Sequence, residues 1–436
     1  MVGNYQFQGV GRDFQKNLLG AWYKRLEDAP KTGTPVAYLF ISGNIGELLR
    51  CFGFELAYPE VNALQCGIKK IAGDLILKAE DLGYSSDVCG YVKNDIGLAA
   101  SGNRGPFGTM PKPDLLVCNY SGCNTYIKWF EALAELYGAR VFLLDVPYRR
   151  TGETLRREDL DYVIKQLEQL AAVCAEISGV KFDPDRLREQ LEYSRAAEDL
   201  WVKILHSAKH RPSPFDAFFE AVFFMAPIYV LRGTKECVDY YEAAWKEIEE
   251  RLAHHIGPVS DERFRVVMEG PPPWPNFRNF WELFKRWGVC CVASTYSKVG
   301  GIWDFGMRHD PTRPMESLAE YAVNCYTNWD WSLRRSMLKR YAEEYHADAL
   351  VIHSVKSCRA FSVGQADVRE HFSKAESLPT LFVESDLADP RYFSEAQIRN
   401  RIDAFFEALE HRRVAGAARP APLRAGPASP TKSRQA

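Results

Sequence analysis

The first 155 residues alternate between short apolar runs and segments whose apolar residues recur at helical spacing. Unbroken apolar runs predict strands at 36–41, 115–118 and 141–144. Apolar residues recur every three or four positions at 45–52 and 127–137, which predicts helices. This order of strand, helix and strand predicts βαβ units and therefore a parallel sheet.

After residue 155 the pattern of apolar residues changes. Residues 156–258 are rich in charge, lack strand-like alternation and have helical periodicity, so we expect a helical connection there. The rhythm of strands and helices then returns. Strands are predicted at 264–268, 289–292, 349–352 and 381–383. Helices are predicted at 277–287, 362–374 and 394–412.

Together these patterns predict an α/β protein with two Rossmann-like parallel-sheet lobes, a helical N-terminal arm and a helical linker. The last residues contain no acidic side chain and almost no large apolar one, so they are predicted to be disordered. The predicted parts are the arm at 1–32, lobe I at 33–155, the helical connection at 156–258, lobe II at 259–413 and the tail at 414–436.

The composition is that of a folded globular protein, with 46% hydrophobic and 26% charged residues. The 55 basic and 57 acidic residues give a net charge of −2, which disfavours general electrostatic binding to nucleic acid or to an anionic membrane. No apolar run reaches the ~18 residues of a membrane span, and no signal-peptide pattern opens the chain. We therefore expect a cytoplasmic protein that binds neither nucleic acid nor membrane.

The chain has eleven cysteines, an odd number that cannot pair completely. No two of them form a CxxC motif, so the sequence has no local zinc ribbon or ferredoxin-type run. Most lie within apolar helix or strand patterns and are predicted to be small core residues. These are Cys51, Cys66, Cys174, Cys237, Cys290 and Cys291.

Cys89, Cys123 and Cys358 share a different context, because each precedes a helical pattern. Open α/β sheets bind ligands at the edge where strands end, and helix N-termini favour the thiolate form of cysteine. Three thiolates from two lobes could hold an iron–sulfur cluster with one differentiated iron between the lobes, or a zinc ion with a fourth ligand. Cys118, five residues before Cys123, competes with it as the second ligand.

Other chemistry-bearing motifs are missing from the sequence. It has no GxxxxGK[ST] phosphate-binding loop, so any use of ATP must belong to another chain. It also has no GxGxxG after a strand, no GxSxG and no HExxH. The histidines of the charged helical region are predicted to be solvated.

Five segments, in the expected order, resemble the family of 2-hydroxyacyl-CoA dehydratases and benzoyl-CoA reductases. No single segment is specific, but the ordered set covers roughly residues 33–410. Gly46 stands where the family has a proline, and Asn124 stands where many relatives have Asp. The segments are Gly46-Glu47-Leu48-Leu49 with Gly53, Asp87-Val88-Cys89-Gly90, Pro113-Asp114-Leu115-Leu116 leading to Gly122-Cys123-Asn124, Asp348-Ala349-Leu350-Val351 leading to Ser357-Cys358-Arg359, and Glu384-Ser385-Asp386 with 397–405.

Three stretches, at 42–44, 118–123 and 269–274, resemble within this family the cluster-carrying B-type subunits of ATP-dependent benzoyl-CoA reductases. The resemblance implies a [4Fe–4S] cluster on the three cysteines that precede helices. It implies an anaerobic two-electron reduction of the ring of benzoyl-CoA, or a related acyl-CoA, to a cyclohexadiene carbonyl-CoA. The implied partners are a sister cluster-carrying subunit and two ATPase or activator-type subunits, which pass on electrons from ferredoxin.

Glu47, on the turn after the first predicted strand, is a candidate for a polar or proton-handling role. As an acid in the first turn of a helix, it can equally serve to interact with the helix dipole. Two other functions stay open at this point. The chain could be a subunit of a 2-hydroxyacyl-CoA dehydratase, a lyase of the same family. It could also be a non-catalytic electron-transfer subunit that carries an iron–sulfur cluster or zinc.

Overall fold

The computed structural model describes residues 10–149, 154–298, 301 and 303–414. Predictions for residues 1–9 of the arm and 415–436 of the tail therefore lie outside the described residues. The chain begins with a long helix and a lobe of short strands and helices. Its elements are α1 (Val10–Thr32), β1 (Val36–Tyr38), α2 (Gly46–Arg50), β2 (Glu55–Ala57), α3 (Pro59–Ile68), α4 (Ala72–Asp81), α5 (Gly90–Ala99), β3 (Arg104–Gly105), β4 (Gly108–Thr109), β5 (Leu115–Tyr120), α6 (Asn124–Tyr137) and β6 (Arg140–Asp145).

Four strands of the first lobe form a parallel sheet in the order β2-β1-β5-β6. Ala37 of β1 pairs with both Leu56 and Leu115, so β1 lies inside the sheet. β3 and β4 form a separate antiparallel hairpin. The sequence pattern predicts β1, β5 and β6 but not β2, because three residues between two helices are too few to show an alternation.

The segment between the lobes is helical, as its periodicity predicts. Its helices are α7 (Arg157–Ser178), α8 (Pro184–Ser207), α9 (Ala226–Val230) and α10 (Lys235–Ala253). The Asp183 side chain accepts hydrogen bonds from the backbone N–H groups of Asp185 and Arg186, which fixes the start of α8. The Thr234 hydroxyl accepts from the backbone N–H of Cys237 and starts α10 in the same way.

The second lobe repeats the arrangement of the first. Its elements are β7 (Phe264–Glu269), α11 (Phe277–Lys285), β8 (Val289–Ser294), α12 (Pro314–Val323), α13 (Trp331–Glu344), β9 (Ala349–Val355), α14 (Arg359–Ser362), α15 (Gln365–Lys374), β10 (Thr380–Ser385) and α16 (Glu395–Val414). The four strands are parallel, in the order β10-β9-β7-β8. β7, β8 and β9 are buried along their whole length, as expected for parallel strands covered on both faces.

The fold class is therefore confirmed as α/β with two parallel-sheet lobes. The segments that follow the carboxyl ends of strands in both lobes meet at a single cavity, as the switch-point rule for such sheets leads one to expect. The residues they contribute to its lining are Ile41, Cys123, Pro271, Tyr296, Cys358 and Leu387.

Within the described ranges, no helix has the length and apolar character needed to cross a membrane. The cytoplasmic location and the domain boundaries stay predictions, although each sheet falls inside the lobe predicted for it.

Candidate active site

Cys89, Cys123 and Cys358 each occupy the position directly before a helix. They precede α5, α6 and α14, respectively. Cys123 follows β5 and Cys358 follows β9, whereas Cys89 lies at the end of the loop between α4 and α5. All three line one cavity of about 420 Å³ with walls from both lobes. The structure thus brings together the three cysteines that the sequence pattern singles out.

The protein around these thiols disfavours their charged form. Burial raises the pKa of Cys89 well above that of a free thiol, and the neighbouring Cys358 and Cys123 add to the increase. Burial also raises the pKa of Cys123 and, with a contribution from Cys123, that of Cys358 to about 12. The thiols therefore lie close enough to act on one another, and as free side chains they are protonated at neutral pH.

Backbone N–H groups of the turn after each cysteine offset part of this burial. These groups belong to Tyr91, Thr125 and Phe361, respectively, and they lower the thiol pKa without outweighing burial. A metal that displaces the protons would find thiolates stabilised by these donors and by the helix N-termini.

The potential metal donors in the cavity include the three thiols. Among the described residues, no three His, Cys, Asp or Glu side chains are gathered around a point where one metal ion could bind. A zinc ion would need its sulfur ligands about 2.3 Å away on all sides. Thiolates are also the usual protein ligands of iron–sulfur clusters, which are larger than a single ion.

Cys118, the competitor of Cys123, lies inside β5 and is buried in the core of the first lobe. Burial raises its pKa to about 12, with further contributions from Cys123 and Glu131. It does not belong to the described lining of the cavity, whereas Cys123 does. This placement favours Cys123 as the second ligand.

The described lining of the cavity includes nine aromatic side chains. The aromatic lining residues are Tyr91, Phe107, Tyr126, Trp129, Phe223, Tyr229, Trp274, Tyr296 and Phe361. Trp274 joins the two lobes across the cavity, since its indole N–H donates to the Tyr91 hydroxyl at 2.5 Å. Burial raises the pKa of Tyr91, Tyr126 and Tyr296 well above its usual range, so these phenols are neutral. Such side chains suit a flat apolar ligand.

Glu60 is the one carboxylate among the described residues that line the cavity. Its Oε1 accepts a hydrogen bond from the Tyr126 hydroxyl at 2.6 Å, and its Oε2 accepts from the backbone N–H of Ile41 at 2.6 Å. Burial raises the pKa of Glu60 to about 6. A carboxyl inside an apolar cavity whose pKa is raised toward neutral pH is suited to transferring a proton. Sequence reasoning missed this residue, because an acid in the first turn of α3 carries no signal of its own.

Four cationic side chains line the outer part of the same cavity, and all four are exposed. They are Arg12 and Lys16 on α1, Lys69 after α3 and Arg278 on α11. No exposed carboxylate accompanies them in the described lining. The cavity therefore has an apolar interior with thiols and one acid, and a positively charged mouth.

The sequence model of the family described as 2-hydroxyglutaryl-CoA dehydratase, D-component, matches residues 46–409. The chain is also 44% identical over 408 residues to the B-type subunit of benzoyl-CoA reductase from Thauera aromatica, covering 92% of this chain and 94% of the relative. The chain belongs to the 2-hydroxyacyl-CoA dehydratase and benzoyl-CoA reductase family. The resemblance found in the sequence is thereby confirmed.

More distant relatives belong to the dehydratase branch of the same family. The (R)-phenyllactyl-CoA dehydratase alpha subunit of Clostridium sporogenes is 27% identical over 365 residues, covering 83% of this chain and 87% of the relative. The alpha subunit of (R)-2-hydroxyglutaryl-CoA dehydratase from Acidaminococcus fermentans is 24% identical over 462 aligned positions, covering 89% of this chain and 94% of the relative. Both branches are thus represented by relatives that match nearly whole chains.

In this chain the loop that carries Cys123 packs closely against the second lobe at Gly122. Gly122 has a φ of +80°, and a Cβ added there would overlap the carbonyl oxygen of Thr327. The Thr327 hydroxyl in turn donates to the carbonyl oxygen of Ser121 at 2.7 Å. Only glycine allows both this conformation and this close approach.

We expect Gly122→Ala to lower the thermal unfolding midpoint and to displace the Cys123 loop, at a cost above ~1 kcal/mol. Gly53→Ala is a matched control, because Gly53 has a similar φ of +79° but no atom within 4 Å of an added Cβ. The difference between the two unfolding midpoints isolates the close approach to Thr327. Equal destabilisation by the two substitutions would contradict this account of the loop.

The structure places Glu47 in a buried ion-pair network outside the described cavity lining. Its Oε1 accepts from the Arg232 guanidinium at 2.9 Å and from the Ser194 hydroxyl at 2.6 Å. Arg232 also binds Glu198 at 3.0 Å, and Glu198 pairs with His309 at 2.7 Å. Burial alone would raise the pKa of Glu47, but Arg232 and His309 outweigh it and lower the pKa. This arrangement supports a role in packing α2 against α8; the proton-handling role stays an untested prediction.

We expect Glu47→Gln to destabilise the fold by about 3 kcal/mol, because it leaves part of the Arg232 charge buried without its partner. Urea unfolding measures this loss as a lower midpoint. Activity per folded molecule should change little at a temperature where the variant is fully folded. A strong loss of activity with unchanged stability would instead support the proton-handling role.

Proposed function

We propose that this chain is the iron–sulfur subunit of an ATP-driven benzoyl-CoA reductase, which adds two electrons to the aromatic ring and forms a cyclohexadiene carbonyl-CoA. The observation that carries the proposal is that three cysteine thiols from two lobes line one aromatic-walled cavity. The 44% identity to a benzoyl-CoA reductase subunit over most of the chain supports the reductase branch.

The proposed cofactor is a [4Fe–4S] cluster held by Cys89, Cys123 and Cys358. Three protein thiolates leave one iron of such a cluster without a cysteine ligand. An iron–sulfur cluster supplies single electrons at potentials that reach about −700 mV, which suits a reaction that destroys aromaticity. The chain's own part is to present three thiolates at the starts of three helices.

The substrate proposed for the cavity is an aromatic acyl-CoA. The exposed cations Arg12, Lys16, Lys69 and Arg278 at the mouth match the phosphate groups of coenzyme A. The aromatic walls match the ring, and their neutral phenols add no charge that would repel an electron-rich intermediate.

Glu60 is the proposed proton-handling group of the cavity. Tyr126 and the Ile41 backbone hold its two carboxylate oxygens in fixed positions. Because burial raises its pKa to about 6, more of this carboxyl carries a proton near neutrality than an exposed glutamate would. It can therefore deliver a proton to a ring that has accepted an electron.

We infer that the chain works within a hetero-oligomer, since its relatives are named as subunits. The proposed partners are a sister cluster-carrying subunit and two ATPase or activator-type subunits. Those subunits pass electrons from ferredoxin to this chain, whose sequence has no phosphate-binding loop.

The test is to supply the anaerobically purified complex with ATP and reduced ferredoxin, and to offer benzoyl-CoA and a 2-hydroxyacyl-CoA in parallel. Mass spectrometry should show benzoyl-CoA gaining two hydrogen atoms, with ATP consumed. Loss of water from the 2-hydroxyacyl-CoA, with benzoyl-CoA unchanged, would identify a dehydratase. Conversion of neither, in a complex that carries iron and sulfide, would favour an electron-transfer subunit.

A further inference from the structure

Asp386 directly follows β10 and has its side chain buried, with 1% of its surface exposed. Its Oδ2 accepts a hydrogen bond from the backbone N–H of Ser357 at 3.0 Å, next to Cys358. Its Oδ1 accepts from the backbone N–H groups of Ala388 and Asp389, also at 3.0 Å. Three N–H donors of this kind solvate a carboxylate charge without a cation.

The same carboxylate reaches the cysteine loop of the other lobe. A Cβ added at Gly90, the residue after Cys89, would lie 2.8 Å from Oδ1 of Asp386. The Gly90 backbone N–H donates to the Ser357 hydroxyl at 3.0 Å, so the two cysteine loops meet beside this carboxylate. Asp386 thus lies between the loops that present two of the three thiols.

No cation neutralises this charge within the part of the chain that the structure describes. Asp386 forms no ion pair there, whereas Asp389, three residues on, pairs with Arg391 at 2.6 Å and with Lys93 at 3.9 Å. The nearby His353 does not compensate either, because burial lowers its pKa to about 4 and leaves the imidazole neutral. Among the described residues this carboxylate is therefore held by hydrogen bonds and not by a cation.

This charge opposes the other electrostatic feature of the site. Backbone N–H groups in the turns after the three cysteines lower the pKa of each thiol and so favour added negative charge, as do the N-termini of α5 and α6. On an iron–sulfur cluster such donors raise the reduction potential, which is the wrong direction for a strong reductant. A fixed negative charge nearby makes an added electron less favourable and lowers the potential.

We propose that Asp386 is a positioning residue whose uncompensated carboxylate, set between the Cys89 and Cys358 loops, lowers the reduction potential of the cluster they hold. The inference rests on the proposed function, since it needs a redox-active group on the three cysteines. It assigns to Asp386 a task that is distinct from binding iron or substrate.

The test is a redox titration of the Asp386→Asn complex, followed by electron paramagnetic resonance, with iron and acid-labile sulfide counted on the same sample. Iron and sulfide should stay at the wild-type level. The midpoint should move to more positive potential, so that the reduced-to-oxidised ratio at a fixed potential rises about tenfold, equivalent to 59 mV for a one-electron couple. Asp389→Asn is the matched control; its carboxylate is already paired, so its midpoint should not move.

An unchanged midpoint in Asp386→Asn, or an equal shift in Asp389→Asn, would overturn the proposal. Ser357→Ala and Asp386→Glu keep the negative charge and disturb only the contacts around it, so both should keep the wild-type potential. A positive shift in either would show that loop geometry sets the potential, so this pair can overturn the proposal even if Asp386→Asn does not fold. Absence of iron and sulfide from this chain in the wild-type complex would contradict the proposed function itself.

Discussion

Replacing Cys89, Cys123 or Cys358 with alanine is expected to remove most of the bound iron and to abolish ring reduction. Each substitution takes away one of only three protein thiolates around the cavity. No other cysteine belongs to the described lining, so no neighbouring thiol is placed to take over. Iron and sulfide counts on each variant complex, together with product formation from benzoyl-CoA, measure the effect.

Two buried cysteines serve as matched controls for this series. Cys118 lies within β5, and Cys290 lies within β8, both in the core of a lobe. Cys118→Ala and Cys290→Ala should keep the iron and cost on the order of 1 kcal/mol of packing. If Cys118→Ala loses the iron while Cys123→Ala keeps it, the second ligand is wrongly assigned. If Cys89→Ala or Cys358→Ala keeps a full complement of iron, the site between the lobes is wrong.

Glu60→Gln is expected to lower the rate of ring reduction by about 10²- to 10⁴-fold, the usual contribution of a general acid or base. Glutamine keeps the size of the side chain and can still hydrogen-bond with Tyr126, but it cannot deliver a proton. Iron content and affinity for benzoyl-CoA should change little, because the thiols and the cationic mouth are untouched. Single-turnover rates with the reduced complex separate this step from electron delivery.

Two further variants make the Glu60 result specific. Tyr126→Phe removes the hydrogen bond to Oε1 of Glu60 and should lower the rate by a smaller factor. Glu47→Gln alters another buried glutamate, which lies outside the described lining, and should leave the rate per folded molecule nearly unchanged. A full rate in Glu60→Gln, or a larger loss of rate in Glu47→Gln, would show that Glu60 is not the proton-handling group.

The fold and the three cysteines could be predicted because their signals are local. Strand, turn and helix follow one another within about twenty residues around Cys123 and around Cys358, and that order alone places a residue at the edge of a parallel sheet. Cys89 follows a helix rather than a strand, yet the helical pattern after it was enough to place it at a helix start. The local sequence pattern therefore predicts each cysteine loop, and the parallel topology of the two sheets explains why the loops meet.

The rest of the site depends on contacts between distant segments. Burial raises the pKa of Glu60 to about 6, and the hydrogen bond that holds its Oε1 comes from Tyr126, which lies 66 positions away. Asp386 lies beside the Cys89 loop only because the second lobe packs against the start of α5. Glu47 shows the opposite case, since its place in the sequence suggested chemistry but the fold pairs it with Arg232. Sequence spacing contains no signal for such long-range burial and charge pairing.

The most direct test of the account is an iron, zinc and acid-labile sulfide count on the anaerobically purified chain, supported by electron paramagnetic resonance of the reduced protein. The account predicts a brown, oxygen-sensitive protein with about four iron and four sulfide atoms per chain, as a [4Fe–4S] cluster requires. About one zinc atom per chain, with no sulfide and no paramagnetic signal, would contradict it.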